Sequence, residues 1–166
     1  MLTAAQRQHH IDVIRQFPAH LTALVVNLND AQLKAEFLPG EWTVQQIVHH
    51  LPDSHMNGFI RLKFVLTEDH PTLKPYDQVV WAVLPDVEKT PIKASLNILA
   101  GLHERWGNLF ESLTEEQSQR TGYHPEHGDM TVDDLLVDYS SHCDNHYNQI
   151  TRTLAAAHSS QTVITN

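Results

Sequence analysis

The sequence predicts an all-α fold, namely a four-helix bundle with one long crossover loop. Apolar residues recur at the helical period along the chain, and no segment shows the sustained alternation that is typical of strands. Capping-box signals, in which an N-cap threonine precedes a glutamine or carboxylate by three residues, mark repeated helix starts. Four amphipathic helices in one domain favour a bundle, because each must bury its apolar face. The capping pairs are Thr3/Gln6, Thr43/Gln46, Thr114/Gln117 and Thr131/Asp134.

These signals divide the chain into long and short helices. Thr90-Pro91 supplies a further start, with Thr90 as the cap and proline at the first helical position. We interpret residues 1–158 as a single domain and residues 159–166 as a flexible C-terminal tail. The long helices are predicted at about 3–28, 43–67, 91–112 and 131–157, and short helical turns near 30–35, 76–84 and 114–119.

The connection from about Glu68 to Lys89 is long for a helical bundle. It contains three prolines together with Tyr76 and Trp81. Such a segment could cover one end of the bundle and form a pocket wall. A plain crossover connection is an equally good interpretation.

The composition argues against several classes of protein. A formal charge of −9 without a cluster of Lys and Arg argues against a nucleic-acid partner. No apolar run is long enough to cross a bilayer, and the first residues lack a signal-peptide core, so we expect no membrane association. The single cysteine, Cys143, excludes an internal disulfide and fits a reducing compartment. We therefore expect a cytoplasmic protein.

His142 and His146 lie four residues apart on the last predicted helix, so their imidazoles point in the same direction. Both fall within or beside the apolar stripe of that helix. Burying a polar group without a partner costs roughly 1–3 kcal/mol, and one divalent metal ion would satisfy both rings. The spacing alone is a weak signal in a chain with 13 histidines. Two core histidines bonded to neighbouring carbonyls are an equal alternative.

The second long helix offers three candidates for a third ligand. His55 lies on its apolar stripe, whereas His49 and His50 flank the stripe, with His50 somewhat closer. Periodicity does not choose among them. Asp138 and Asp53 lie where they could accept the second ring proton of His142 and His50, although solvated carboxylates are the commoner outcome.

The same segments resemble the YfiT family of proposed metal-dependent hydrolases, within the DinB-like superfamily of four-helix metalloproteins. The resemblance runs from about Gln6 to Leu154 and implies a DinB/YfiT-like bundle. It implies one divalent metal ion, zinc or alternatively nickel, held by His50, His142 and His146, and a homodimer. The matching motifs are Trp42–Asn57, Ile60-Arg61-x-Lys63, Leu66–Asp77, Pro91-Ile with Ser95-Leu, Leu102-His-x-Arg-Trp106, His124-Pro-Glu126-x-Gly128 and the final His-x-x-x-His.

Three imidazoles leave coordination positions open for water or substrate, as in catalytic zinc sites. His124 and Glu126 belong to a motif shared with the family and are expected in a polar loop before the last helix. Either could act as general base or contact the substrate. The alternative is a simple turn built around Pro125 and Gly128.

The resemblance therefore implies a metal-dependent enzyme that activates water to hydrolyse a small-molecule substrate. The same three histidines would also serve a thiol S-transferase of the bacillithiol type, which conjugates a low-molecular-weight thiol to electrophiles. A third hypothesis is a non-catalytic, stress-induced bundle in which the metal ion only stabilises the fold.

Overall fold

The structure, a computed structural model, describes the backbone of residues 1–163 and the side chains of residues 1–157. Four long helices and four short ones are joined by loops and one small hairpin. No helix in this part of the chain combines the length and apolar character needed to cross a membrane. The elements are α1 (Ala4–Val25), α2 (Asp30–Lys34), α3 (Val44–Thr67), α4 (Gln78–Trp81), α5 (Pro85–Lys89), α6 (Ile92–Glu111), α7 (Glu115–Ser118), β1 (Thr121–His124), β2 (Gly128–Thr131) and α8 (Val132–Val163).

The four long helices form a bundle, as predicted. Helix α1 packs against α6 and α8, and α3 packs against the same two helices. The order around the bundle is therefore α1, α6, α3, α8, so that α1 and α3, the first two long helices in sequence, lie opposite each other. Buried leucine, isoleucine, valine and aromatic side chains from all four helices form one continuous core.

The predicted capping boxes are confirmed. The threonines at positions 3, 43 and 114 each exchange hydrogen bonds with the glutamine three residues later, and Thr131 does so with Asp134. The prediction for Thr90 is wrong. Pro91 itself is the N-cap of α6, and Thr90 ends α5, a second short helix within the crossover segment.

The all-α bundle also carries two short strands that the sequence did not predict. Strands β1 and β2 form an antiparallel hairpin in which Thr121 pairs with Thr131 and His124 with Gly128. Each strand has four residues, too few for the alternation of polar and apolar side chains to stand out. Backbone hydrogen bonds also tie Tyr123 to Pro71 and Leu73 of the crossover segment, which fixes that segment beside the hairpin.

The last helix is longer than predicted. Helix α8 continues to Val163, whereas the sequence predicts an end near residue 157 and a flexible tail over 159–166. Residues 164–166 lie outside the described residues, so the flexibility of the tail stays a prediction.

Helices α3 and α8 approach each other closely at Gly58. A β-carbon at this position would collide with the ring of Tyr139 on α8. The Tyr139 hydroxyl donates to the backbone carbonyl of Ser54, at 3.3 Å, so the ring is held against α3. Glycine is therefore required for the contact between the two helices.

We predict that Gly58→Ala lowers the free energy of unfolding by about 1–3 kcal/mol, because the methyl group overpacks this contact. Gly101→Ala on α6 is the matched control, since a β-carbon there meets no atom within 4 Å. It should raise stability by about 0.5–1 kcal/mol through its helix propensity. Urea unfolding followed by circular dichroism measures both. A Gly58→Ala protein as stable as the wild type would contradict the close packing at Gly58.

Candidate metal centre

The structure brings together the side chains of His50 on α3 and of His142 and His146 on α8. The Nε2 atom of His142 lies 3.3 Å from Nε2 of His50 and 3.1 Å from Nε2 of His146. His50 is buried, and the other two are half-buried. His142 and His146 are one helical turn apart, and α3 is the neighbour that supplies the third ring.

The hydrogen bonds of the outer ring nitrogens show which way each ring presents its lone pair. Nδ1 of His146 lies 2.8 Å from Oε1 of Gln149, an oxygen that only accepts, so the ring proton is on Nδ1. Nδ1 of His142 contacts His55 at 3.0 Å, and Nδ1 of His50 lies 3.5 Å from the Tyr76 hydroxyl. Each Nδ1 thus has a partner outside the cluster, and the three Nε2 atoms face one another.

Burial keeps these rings uncharged. Loss of solvent contact, with the nearby His146, lowers the pKa of His50 to about 3. Burial also lowers the pKa of His142 well below its usual range, and lowers that of His146. Neutral imidazole is the form that binds a metal ion, so burial prepares all three rings for coordination.

The donor set fits a divalent metal ion. With bonds of about 2.0–2.1 Å, neighbouring ligands of a tetrahedral zinc ion lie about 3.3 Å apart, close to the two Nε2–Nε2 distances in this cluster. Three nitrogen lone pairs this close repel one another unless a cation or a proton lies between them. Imidazole nitrogen suits zinc and also nickel, copper and ferrous iron, so the donor set does not select one metal.

A cavity of about 650 Å³ opens at His142. Its walls include Pro75 to Gln78 of the crossover segment, which therefore forms a pocket wall, the first of the two interpretations of that segment. A second cavity, of about 500 Å³, reaches His142 and His146 from the side of Trp42. His142 therefore borders both cavities and His146 the second one, whereas the buried His50 lines neither.

His124 and Glu126 line the larger cavity together with His142. A polar loop was expected at this position, but the structure has a hairpin. His124 ends β1, and Glu126 lies in the hairpin turn. His124 is buried and Glu126 is exposed. The backbone N–H of Glu126 donates to Nδ1 of His124 at 3.3 Å, which fixes the imidazole over the cavity.

Comparison with known proteins identifies the family. The family model described as the DinB superfamily matches residues 14–150. The chain belongs to the DinB superfamily. A relative from Oceanobacillus iheyensis is 41% identical over 141 residues, covering 85% of this chain and 81% of the relative. One from Halalkalibacterium halodurans is 40% identical over 147 residues, covering 89% and 85%. Both carry the provisional name of metal-dependent hydrolase.

A solved structure shows the same architecture. YfiT from Bacillus subtilis is described as a probable metal-dependent hydrolase with an unusual four-helix bundle topology. It matches this DinB-superfamily chain with a TM-score of 0.89 and 38% identity, covering 92% of this chain and 88% of that one.

Asp138 and Asp53, the carboxylates that could have accepted a ring proton of His142 and His50, form no hydrogen bond to these rings among the described residues. Asp138 is exposed and lines the larger cavity, while the Nδ1 atom of His142 bonds to His55 instead. Among the described residues no hydrogen bond joins Asp53 to His50. Burial, with the charge of Asp86, raises the pKa of Asp53 to about 6.

Sequence reasoning missed the roles of two further histidines of the DinB-superfamily bundle, His55 and His103. Both are fully buried and lie behind the three-histidine cluster. The helical period could have indicated the burial of His103, since this residue shares the buried face of α6 with Leu99 and Trp106. His49, the remaining candidate on α3, bonds to Ser95 and to the carbonyl of Thr90, as expected for an ordinary core histidine.

Proposed function

We propose that the protein is a metal-dependent hydrolase whose ligands are His50, His142 and His146. The observation that carries the proposal is the convergence of three neutral imidazoles, one of which, His142, lines a cavity large enough for a small-molecule substrate. The names of the relatives point the same way. A zinc ion, or alternatively nickel, bound there would lower the pKa of water to about 7 and polarise a substrate oxygen.

The hairpin supplies groups for the proton transfers that hydrolysis requires. Nδ1 of His124 accepts from the backbone, so the neutral ring carries its proton on Nε2 and can donate a hydrogen bond to a substrate oxygen. The Glu126 carboxylate borders the same cavity and can accept the proton that an attacking water loses, then pass it to the leaving group. Glu126 is therefore our candidate for both proton transfers, and His124 our candidate for stabilising negative charge on the substrate oxygen.

Arg61 gives the cavity one fixed positive charge. Its guanidinium donates to the carbonyl of Lys74, at 2.7 and 3.2 Å, and to the hydroxyl of Tyr139, at 3.3 Å. No acidic side chain pairs with it among the described residues. A cation held by neutral groups keeps its charge available, so we expect the substrate to carry a carboxylate or another anionic group near the reacting centre.

The same cation favours a second candidate function, thiol transfer. A low-molecular-weight thiol with a free carboxylate, such as cysteine itself, offers a group that Arg61 could bind. In that case the open coordination positions would receive a thiol instead of water.

The ligand assignment predicts the metal content of four variants. The wild-type protein should bind one metal ion per chain, and His50→Ala, His142→Ala and His146→Ala should each lose most of it, because two imidazoles do not hold a divalent ion firmly. His49→Gln is the matched control, since His49 adjoins a ligand but bonds elsewhere. Elemental analysis of the purified proteins measures the content. Full retention by any of the three alanine variants removes that residue from the ligand set.

The roles assigned to these two residues predict that Glu126→Gln and His124→Gln lower kcat by about 100-fold or more without changing the metal content. Wild-type protein with metal is assayed on a panel of esters, and on monochlorobimane with cellular thiols. Ester hydrolysis that is lost on chelation supports the hydrolase, whereas conjugation that depends on both thiol and metal supports the transferase. If neither activity is found and chelation abolishes folding, the metal ion has a structural role.

A further inference from the structure

An unbroken chain of imidazoles starts at half-buried His142, a proposed metal ligand, and continues through the fully buried His55 and His103. Nδ1 of His142 on α8 lies 3.0 Å from Nε2 of His55 on α3. Nδ1 of His55 lies 2.6 Å from Nε2 of His103 on α6. Nδ1 of His103 lies 2.6 Å from the backbone carbonyl oxygen of Ile14 on α1. The chain therefore touches all four long helices.

A proline explains why the Ile14 carbonyl is available. In an α-helix this oxygen would accept the N–H of the residue four positions later, which here is Pro18. Proline has no N–H, so the helical hydrogen bond is missing and the carbonyl needs another donor. His103 supplies that donor from the neighbouring helix. The hydrogen bond from His103 thus replaces the helical one that Pro18 cannot make.

The carbonyl sets the direction of every hydrogen bond in the chain. His55 and His103 are fully buried and bond only to imidazoles and a carbonyl, so each ring is neutral and has a single N–H. A carbonyl only accepts, so the proton of His103 is on Nδ1 and its Nε2 must accept. His55 then donates from Nδ1 and accepts at Nε2. It follows that His142 donates from Nδ1.

We propose that His55 and His103 are positioning residues that hold the proton of His142 on Nδ1, and so keep its Nε2 atom free to bind a metal ion. The orientation originates at the Ile14 carbonyl on α1. Metal-binding histidines commonly donate their second N–H to a carboxylate, a carbonyl or water. Here the partner is a neutral imidazole, so the site gains orientation without gaining a negative charge.

The surroundings protect this relay of His142, His55, His103 and Ile14 from water. Both inner histidines are 0% exposed. The fully buried Trp106 packs edge-on against both of them, at ring-centroid distances of 5.8 and 5.9 Å. Without competing water, each donor and acceptor in the relay depends on its neighbour, since an unpaired buried group is costly.

A second metal ion is the alternative explanation of the inner histidines. His55, His103 and Cys143 offer ligand atoms that all lie within 4.8 Å of one another. The hydrogen bonds favour the relay, because all four ring nitrogens of His55 and His103 already have partners in it.

The decisive measurement is the tautomer of His142 in metal-free protein, by long-range ¹H–¹⁵N correlation of imidazole-labelled protein. We expect the proton on Nδ1 in the wild type. His55→Leu removes both hydrogen bonds of the ring and should leave His142 as a mixture of tautomers. His55→Gln, whose amide can accept from one neighbour and donate to the other, should restore the Nδ1 form. A wild-type His142 with its proton on Nε2 would overturn the proposal whether or not any variant folds.

Zinc affinity, measured by competition with a chromophoric chelator, gives the second readout. His55→Leu and His103→Leu should weaken zinc binding about 10- to 100-fold. His55→Gln and the control His49→Leu should bind zinc as the wild type does. Equal affinity in all variants, or a second zinc ion that is lost in Cys143→Ser, would contradict the relay.

The proposal rests on His142 being a metal ligand, yet the two can fail separately. An Nδ1 tautomer in a protein that lacks hydrolase activity leaves the relay standing and removes the proposed function. Normal zinc binding and hydrolase activity, with the proton of His142 on Nε2 in the metal-free protein, would leave the proposed function standing and remove the relay.

Discussion

The close approach of three imidazole nitrogens is the constraint on which the rest of this structure depends. His50, His142 and His146 present Nε2 atoms to one another at distances of 3.1 and 3.3 Å, measured from His142. Burial disfavours protonating these rings, so we propose that a metal ion, and not added protons, relieves the repulsion between their lone pairs. The fold has to hold α3 against α8 closely enough to sustain this contact. Gly58, which lets the Tyr139 ring rest directly on α3, shows how that is done.

The order of helices gives the site its inner support. Neighbouring helices follow one another around the bundle from α8 through α3 and α6 to α1. The proposed relay passes through the four helices in this order and ends at a carbonyl that Pro18 has left without its helical partner. A proline that would otherwise only weaken a helix thereby contributes to the proposed support of His142. The outer side of the site differs in character, with Arg61, His124 and Glu126 around an open cavity.

Much of the bundle follows from local signals in the sequence. The capping boxes locate helix starts because both of their hydrogen bonds form between residues three apart. His142 and His146 could be paired from spacing for the same reason. Spacing could not choose His50 over His49 and His55, because all three lie on or beside one face of α3. The choice depends on which helix packs against that face.

The features that the sequence did not predict likewise depend on contacts between residues far apart in the chain. The hairpin at 121–131 is fixed partly by pairing with the crossover segment, a contact between residues about 50 positions apart. Asp138 is correctly spaced to orient His142, but His55 of another helix takes that place. His103 gave no motif of its own, since its partner is a backbone carbonyl on α1.

X-ray absorption spectroscopy of the zinc-loaded protein tests the central claim most directly, because it reports the atoms around the bound ion. We predict three imidazole nitrogens at about 2.0–2.1 Å, one or more further oxygen ligands and no sulfur. A sulfur ligand at about 2.3 Å would place the ion at Cys143 instead, and fewer than three imidazoles would break the proposed ligand set. Either result would contradict a metal centre built from His50, His142 and His146.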